Sequence, residues 1–260
     1  MGIKTKIKKE QLPLKYQKYN LIETSNGNTD SVYLLGNTFV LKLYENTLLE
    51  TIINEQKLLN KLDTLKVPKI IDIFKLDNKN IAISTQIDGI SIEKSTLVHI
   101  KQVGLFLKQF HNISKNLEST NINIYSHSYL KKLIDKANNI ILKKYFDNID
   151  INLTNDGIIH GDIFYDNVKF KDNKLSGVYD FTEACNGDFK FELAVVVISW
   201  CFNDDILNNE KLNTLLFYYG LDIKYDDFKE YIKYALVYYA TTRYIDNRDY
   251  QELLNKLDNI

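Results

Sequence analysis

The chain changes its hydrophobic period at about residue 87, and this change narrows what it can fold into. Before that point apolar residues fall in short alternating runs. Tyr19 to Thr24 and Ser31 to Leu35 flank Asn26-Gly27, a strong hairpin signal, and Gly36-Asn37 turns the chain back into Thr38 to Tyr44. Thr47 and Glu50 read as a capping box that opens one helix running to about Leu62. Further strands are expected near Lys69 to Phe74 and Ile81 to Gln86. After Asp88-Gly89 the spacing turns helical: Leu97, Ile100, Val103, Leu107 and Phe110 share one face, and Tyr129, Leu133, Lys136 and Ile140 suggest another. A β segment at Ile158 to His160, Val168 to Phe170 and Leu175 to Tyr179 interrupts the helices. The expected fold class is α+β, with a strand-rich part over residues 1–87 carrying one helix and a larger, mainly helical part over 88–260.

Composition agrees with a packed chain of this kind. Of 260 residues, 45% are hydrophobic, and ten Gly and two Pro leave no room for a flexible linker. A formal net charge of −1 supplies no field to hold nucleic acid or an anionic membrane, so neither is expected as a partner. Lys4, Lys6, Lys8 and Lys9 read as a solvated terminus. The longest apolar run, Leu193 to Phe202, is about half of what a membrane crossing needs. Cys185 and Cys201 are the only thiols and form no C-x-x-C, which fits a reducing compartment and speaks against structural zinc. A soluble cytoplasmic protein, monomer or homodimer, is expected.

Chemistry concentrates in Ile158-Ile-His160-Gly-Asp162-Ile-Phe-Tyr-Asp-Asn167-Val-Lys-Phe, followed by a turn at Asp172-Asn173 and a return strand ending in Tyr179-Asp180-Phe181. The pattern H-x-D-x-x-x-x-N with a downstream D-F is that of a phosphoryl-transfer site. One carboxylate accepts or orients the acceptor hydroxyl, while an Asn and a second carboxylate hold Mg²⁺ on the nucleotide phosphates. Asn167 enters the hairpin and Asp180 leaves it, so both are expected at its open end.

Two upstream residues belong with this reading. Alternation places Phe39, Leu41 and Leu43 on one face of their strand and Lys42 with Val40 on the other. On the next helix Glu55 shares a stripe with Leu48, Ile52, Leu59 and Leu62, where a carboxylate needs a partner, and Lys42 is the expected one. There is no G-x-G-x-x-G; the segment from Ser25 to Ser31 would cover phosphates through backbone N–H groups and hydroxyls, Ser25 included.

With these residues in view, the chain resembles the aminoglycoside phosphotransferase and choline kinase superfamily, small-molecule kinases with a two-lobed, protein-kinase-like fold. Phe39 to Glu45, Leu107 to Ile113, and above all Gly177 to Asn186 followed by Glu192 to Cys201 are similar to type II homoserine kinases. The resemblance implies that Asp162 is the catalytic base, that Asn167 and Asp180 bind Mg²⁺, and that Lys42, paired with Glu55, contacts the ATP phosphates. It further implies that Thr85, Gln86 and Ile87 form a hinge whose backbone reads adenine. Glu192 stands where the family usually carries Asp and is expected to brace the catalytic loop, as is His160.

The acceptor is expected to be a small molecule bearing a hydroxyl, with homoserine the first candidate. Its carboxylate calls for a guanidinium and its ammonium for an acid, so Arg243 and Glu183 are the candidate substrate contacts. An aromatic box of Trp200 and C-terminal tyrosines would suit choline instead. Converging acids among Glu183, Asp188, Asp204 and Asp205 would suit an aminoglycoside. A nucleotide-binding pseudokinase is the reading from another class, and it predicts a damaged constellation, which Lys42, Glu55, Asp162, Asn167 and Asp180 do not show.

Overall fold

The computed structural model describes residues 2–24 and 29–260, so Ser25 and the Asn26-Gly27 turn lie outside the described residues. The chain divides into two compact units, residues 1–88 and 89–260.

In the first unit, β1 (Leu21–Glu23), β2 (Ser31–Leu35), β3 (Phe39–Tyr44), β4 (Ile70–Leu76) and β5 (Lys79–Thr85) form one antiparallel sheet in the order β1-β2-β3-β5-β4, with α1 (Leu49–Lys61) inserted after β3. The period of two decides the faces. Leu41 and Leu43 are buried with Tyr33, Leu35, Ile81 and Ile83, and Leu12 and Tyr16 from the N-terminal segment close over them. Lys42, opposite Val32 on β2 and Ala82 on β5, falls on the other face. Asp77 and Asn78 join β4 to β5 with φ of 47° and 66°, the left-handed pair that suits a tight hairpin. The capping box does not form. Helix α1 starts two residues later than Thr47, its N-cap is Leu48 with no side-chain cap bond, and the Thr47 carbonyl accepts from the Asn80 amide instead.

The second unit runs α2 (Leu97–Ser114), α3 (His127–Ala137), α4 (Ile140–Asp147), β6 (Gly157–Ile159), β7 (Val168–Lys171), β8 (Lys174–Val178), β9 (Cys185–Gly187), α5 (Phe189–Trp200), β10 (Phe202–Asn203), β11 (Ile206–Leu207), α6 (Asn209–Tyr219), α7 (Tyr225–Ile245) and α8 (Gln251–Asp258). Its strands form antiparallel two-stranded ribbons, β6 with β9, β7 with β8 and β10 with β11. The apolar run from Leu193 is the centre of α5, buried on every side, and is therefore a core helix. Among the described residues no helix is long and apolar enough to cross a membrane. On α2 the buried stripe is the expected one except at Leu97, which is exposed. On α3 the stripe is corrected: Leu130 and Ile134 face inward, and Ile140, 84% exposed, begins α4. The reason is the break at Asn138, which adopts the left-handed conformation (φ 48°) and ends α3, so no single face continues to residue 140.

Candidate active site

The loop between β6 and β7 and the β7–β8 hairpin place the candidate carboxylates. Val168 pairs with Val178, and the Tyr179 N–H donates to the Asn167 carbonyl (3.0 Å), so Asn167 and Tyr179 face each other at the mouth of the hairpin with Asp180 next in line. The closed end turns on Asp172 and Asn173, both left-handed at φ 51° and 58°. Asp180 itself is left-handed (φ 67°) and exposed, with its Oδ1 accepting from the Thr182 hydroxyl at 3.0 Å. Asn167 is 7% exposed, and its Nδ2 donates to both the carbonyl and the Oδ2 of Asp162, each at 2.8 Å. This orientation turns the amide hydrogens toward Asp162 and leaves Oδ1, the atom a hard cation takes, outside those two bonds.

The loop is braced from below. Glu192 on α5 is fully buried, and its Oε1 accepts from the backbone N–H of His160 (2.7 Å) and of Gly161 (2.8 Å). Its Oε2 meets His111 Nε2 at 2.5 Å, while His111 Nδ1 lies 2.8 Å from the Tyr219 hydroxyl and the imidazole stacks on Phe189 at 3.8 Å. A buried carboxylate with three donors is satisfied, and the longer side chain at 192 reaches the loop. His111 is thus buried and tied to the loop through Glu192. His160 Nδ1 accepts from the Asp162 N–H (3.2 Å), which places the ring hydrogen on Nε2, 2.9 Å from the Tyr179 carbonyl. His160 therefore links the loop to the end of β8.

Asp162 is crowded by its own kind. Burial first, then the charges of Glu183, Asp180 and Asp166, push its carboxyl well above the usual carboxylate range, with the Asn167 hydrogen bond opposing. Glu183 belongs to this cluster and accepts from the Tyr125 hydroxyl at 3.2 Å. Tyr125 also packs on Gly161, where a Cβ would come within 2.2 Å of its ring; Gly161 has φ 79°, so both space and backbone require glycine there. Tyr239 on α7 donates to the Gly161 carbonyl. Among the described residues no three His, Cys, Asp or Glu side chains are placed to hold a metal alone. A pair of oxygens from Asn167 and Asp180 suits Mg²⁺, which keeps most of its shell for water and phosphate.

The other acceptor candidates sit as follows. Arg243 lies 3.9 Å from Glu252 of α8, an acid of the C-terminal helix. Trp200 is fully buried and donates to the Ile163 carbonyl (2.8 Å), and Tyr231, Tyr234 and Tyr238 are core residues, so these side chains do not build an open aromatic box. Asp188 is the N-cap of α5, and Asp205 accepts from Asn255.

In the first unit, Lys42 Nζ lies 3.5 Å from Asp30 Oδ2 and 4.9 Å from the centre of the Tyr44 ring. Glu55, 6% exposed on α1, accepts from the Tyr44 hydroxyl at 3.1 Å. Lys42 and Glu55 thus share Tyr44 as a neighbour, and Asp30 is an acid the sequence did not single out. Its signal was available: it precedes β2 by one residue, on the face Lys42 occupies. The N–H groups of Thr85 and Gln86 donate to Lys69 and Thr38, at 2.9 and 3.0 Å, so both are spent within the sheet. The Gln86 Oε1 is buried without a hydrogen-bond partner.

Comparison with known proteins follows the same lines. The homoserine kinase of Bartonella henselae is 28% identical over 214 residues, covering 74% of this chain and 66% of that enzyme. The homoserine kinase of Bradyrhizobium diazoefficiens is 30% identical over 189 residues, covering 67% and 58%. The chain therefore spans less than two thirds of these relatives. Among solved structures, the GDP complex of aminoglycoside 2′-phosphotransferase-IIIa superposes with a TM-score of 0.66 over 92% of this chain and 90% of that one, at 14% identity. The macrolide 2′-phosphotransferase of Brachybacterium faecium gives 0.65 over 92% and 91%, at 13% identity. At these identities the likeness is one of fold: an antiparallel five-stranded sheet followed by a mainly helical region. The profile of the phosphotransferase enzyme family matches residues 21–224, most of the chain, and the protein belongs to that family.

Proposed function

We propose that the protein transfers the γ-phosphoryl group of Mg²⁺–ATP to a hydroxyl of a small molecule, with L-homoserine the first acceptor to test. The observation that carries this is the arrangement of Asp162, Asn167 and Asp180 on one loop and one hairpin mouth, in a chain of the phosphotransferase family. Asp162 receives or orients the acceptor hydroxyl. Its raised pKa makes it a better proton acceptor than an ordinary carboxylate, and Asn167 fixes the direction of its Oδ2. Asn167 and Asp180 would hold Mg²⁺, which neutralises charge on the transferring phosphoryl group. Lys42, oriented by Asp30, takes nucleotide phosphates, and backbone groups of Thr85 to Ile87 other than the two engaged N–H groups read the base.

The homoserine kinases among its relatives support the acceptor. A second reading, an aminoglycoside or another amine-rich alcohol, is favoured by two observations: Glu183 stands in the Asp162 cluster, and Arg243 faces Glu252 rather than an open carboxylate site. Purified protein with ATP and Mg²⁺ is offered homoserine, choline, methylthioribose, sugars and aminoglycosides. Phosphorylation of homoserine alone supports the first reading, and phosphorylation of an aminoglycoside the second. Bound ATP with no acceptor phosphorylated rejects catalysis. Asp162→Asn lowers turnover by about 10²–10⁴-fold with ATP affinity little changed; turnover that survives the substitution removes Asp162 from the reaction.

A further inference from the structure

The peptide between Gly161 and Asp162 is planar, so its carbonyl and its N–H move together. Gly161, with φ 79°, is the one glycine between β6 and β7, and a rotation of that plane would swing the Asp162 backbone that carries the side chain. Both ends of the plane are pinned. The Asp162 N–H donates to His160 Nδ1 at 3.2 Å, and the Gly161 carbonyl accepts from the Tyr239 hydroxyl. The first pin is local to the loop; the second comes from the middle of α7, 78 residues away in sequence. The phenol is itself aimed by packing: its ring meets Phe164 edge-on at 4.8 Å and Tyr238 at 5.2 Å. Burial and then the negative charge of Asp162 keep the hydroxyl protonated, so toward the carbonyl it only donates.

We infer that Tyr239 is a positioning residue for Asp162, holding the Gly161–Asp162 peptide plane so that the carboxylate keeps its direction. The inference rests on the reading of Asp162 as the carboxylate that orients the acceptor. It extends the reacting machinery to α7, an element outside the H-x-D loop, the hairpin and α5.

The test is Tyr239→Phe, which keeps the ring contacts and removes one hydroxyl, measured in the full chain with Mg²⁺–ATP and with L-homoserine or water as phosphoryl acceptor. The expected result is a fall in kcat of about tenfold, with KM for ATP within about twofold, since a small misalignment of one catalytic group has effects of this order or larger. Backbone amide exchange gives a readout that needs no acceptor: the Asp162 N–H exchanges at least about tenfold faster in the variant, because its plane has lost one anchor. Unchanged exchange at Asp162 overturns the inference, as does unchanged kcat. Tyr239→Leu, which also removes the ring, separates packing from the hydrogen bond: a loss confined to Leu and absent in Phe overturns positioning by the hydroxyl. Asp162→Asn in parallel separates the two readings. If that variant turns over normally the kinase assignment of Asp162 fails, and if it is dead while Tyr239→Phe is normal, only the role of Tyr239 fails.

Discussion

At Asp162 three acidic neighbours raise the cost of ionisation, and burial adds to them. The sign of the pH effect follows. A carboxyl whose folded-state pKa exceeds its unfolded value of about 4 contributes stability that is complete below that value and is lost as the pH rises through the folded-state pKa. Without a divalent cation, Asp162→Asn is therefore expected to raise the melting temperature at pH 7 to 8 and to leave it nearly unchanged near pH 3, as thermal denaturation at the two pH values will show. The same substitution is expected to lower turnover, so stability and activity are expected to move in opposite directions at this residue. The candidates Asp162, Asn167 and Asp180 were legible because the H-x-D-x-x-x-x-N spacing and the D-F that closes the hairpin are local. Tyr125 and Tyr239 were not, since each acts on a residue brought near only by folding; Asp30 was legible in principle, one residue before β2 on the face of Lys42, but went unread.

At the scale of elements, α5 carries the brace for the loop. Its N-cap Asp188 accepts from the N–H groups of Lys190 (2.7 Å) and Phe191 (3.2 Å) with one oxygen and from the Thr154 N–H and hydroxyl, both 2.8 Å, with the other. Four residues on, Glu192 reaches the loop. Asp188→Ala removes the cap and is expected to lower stability by about 1–2 kcal/mol. It should lower kcat as well, because the start of α5 sets the reach of Glu192; denaturant titration and steady-state kinetics measure the two effects. A fall in stability with kcat intact would confine Asp188 to capping. The misread elements have a common cause. Thr47 and Glu50 satisfy the capping pattern, but the Asn80 amide takes the Thr47 carbonyl and the helix begins at Leu49. The stripe proposed through Ile140 assumed one helix, and a single left-handed Asn138 divides it.

Across the whole molecule, the two units hold different parts of the proposed chemistry, Lys42 and Asp30 in residues 1–88 and the Asp162 cluster in 89–260. Ligands that bind only the folded chain raise its melting temperature, by about 2.7 kcal/mol of stability at a hundred times Kd. ATP with Mg²⁺ is expected to stabilise the protein by this mechanism more than ATP with a chelator. Asp180→Ala should remove the Mg²⁺-dependent part and leave the remainder, and differential scanning calorimetry distinguishes the two. A Mg²⁺-dependent shift that persists in Asp180→Ala would place the ion elsewhere.

Taken alone, the sequence determined the change from strands to helices near residue 87, the separation of Lys42 from the Leu41 and Leu43 face of its strand, and the hairpin that brings Asn167 beside Tyr179. These depend on interactions within a few residues or on the two periodicities, which a linear chain displays directly. Tertiary structure alone decided that Glu192 closes onto two consecutive amides with His111 behind it, that Tyr239 reaches back to Gly161, and that Arg243 faces Glu252. Each of these joins groups far apart in the chain through one directed bond. A hydrogen bond is decided by fractions of an ångström in the packing of whole elements, and no local pattern in the sequence carries that distance.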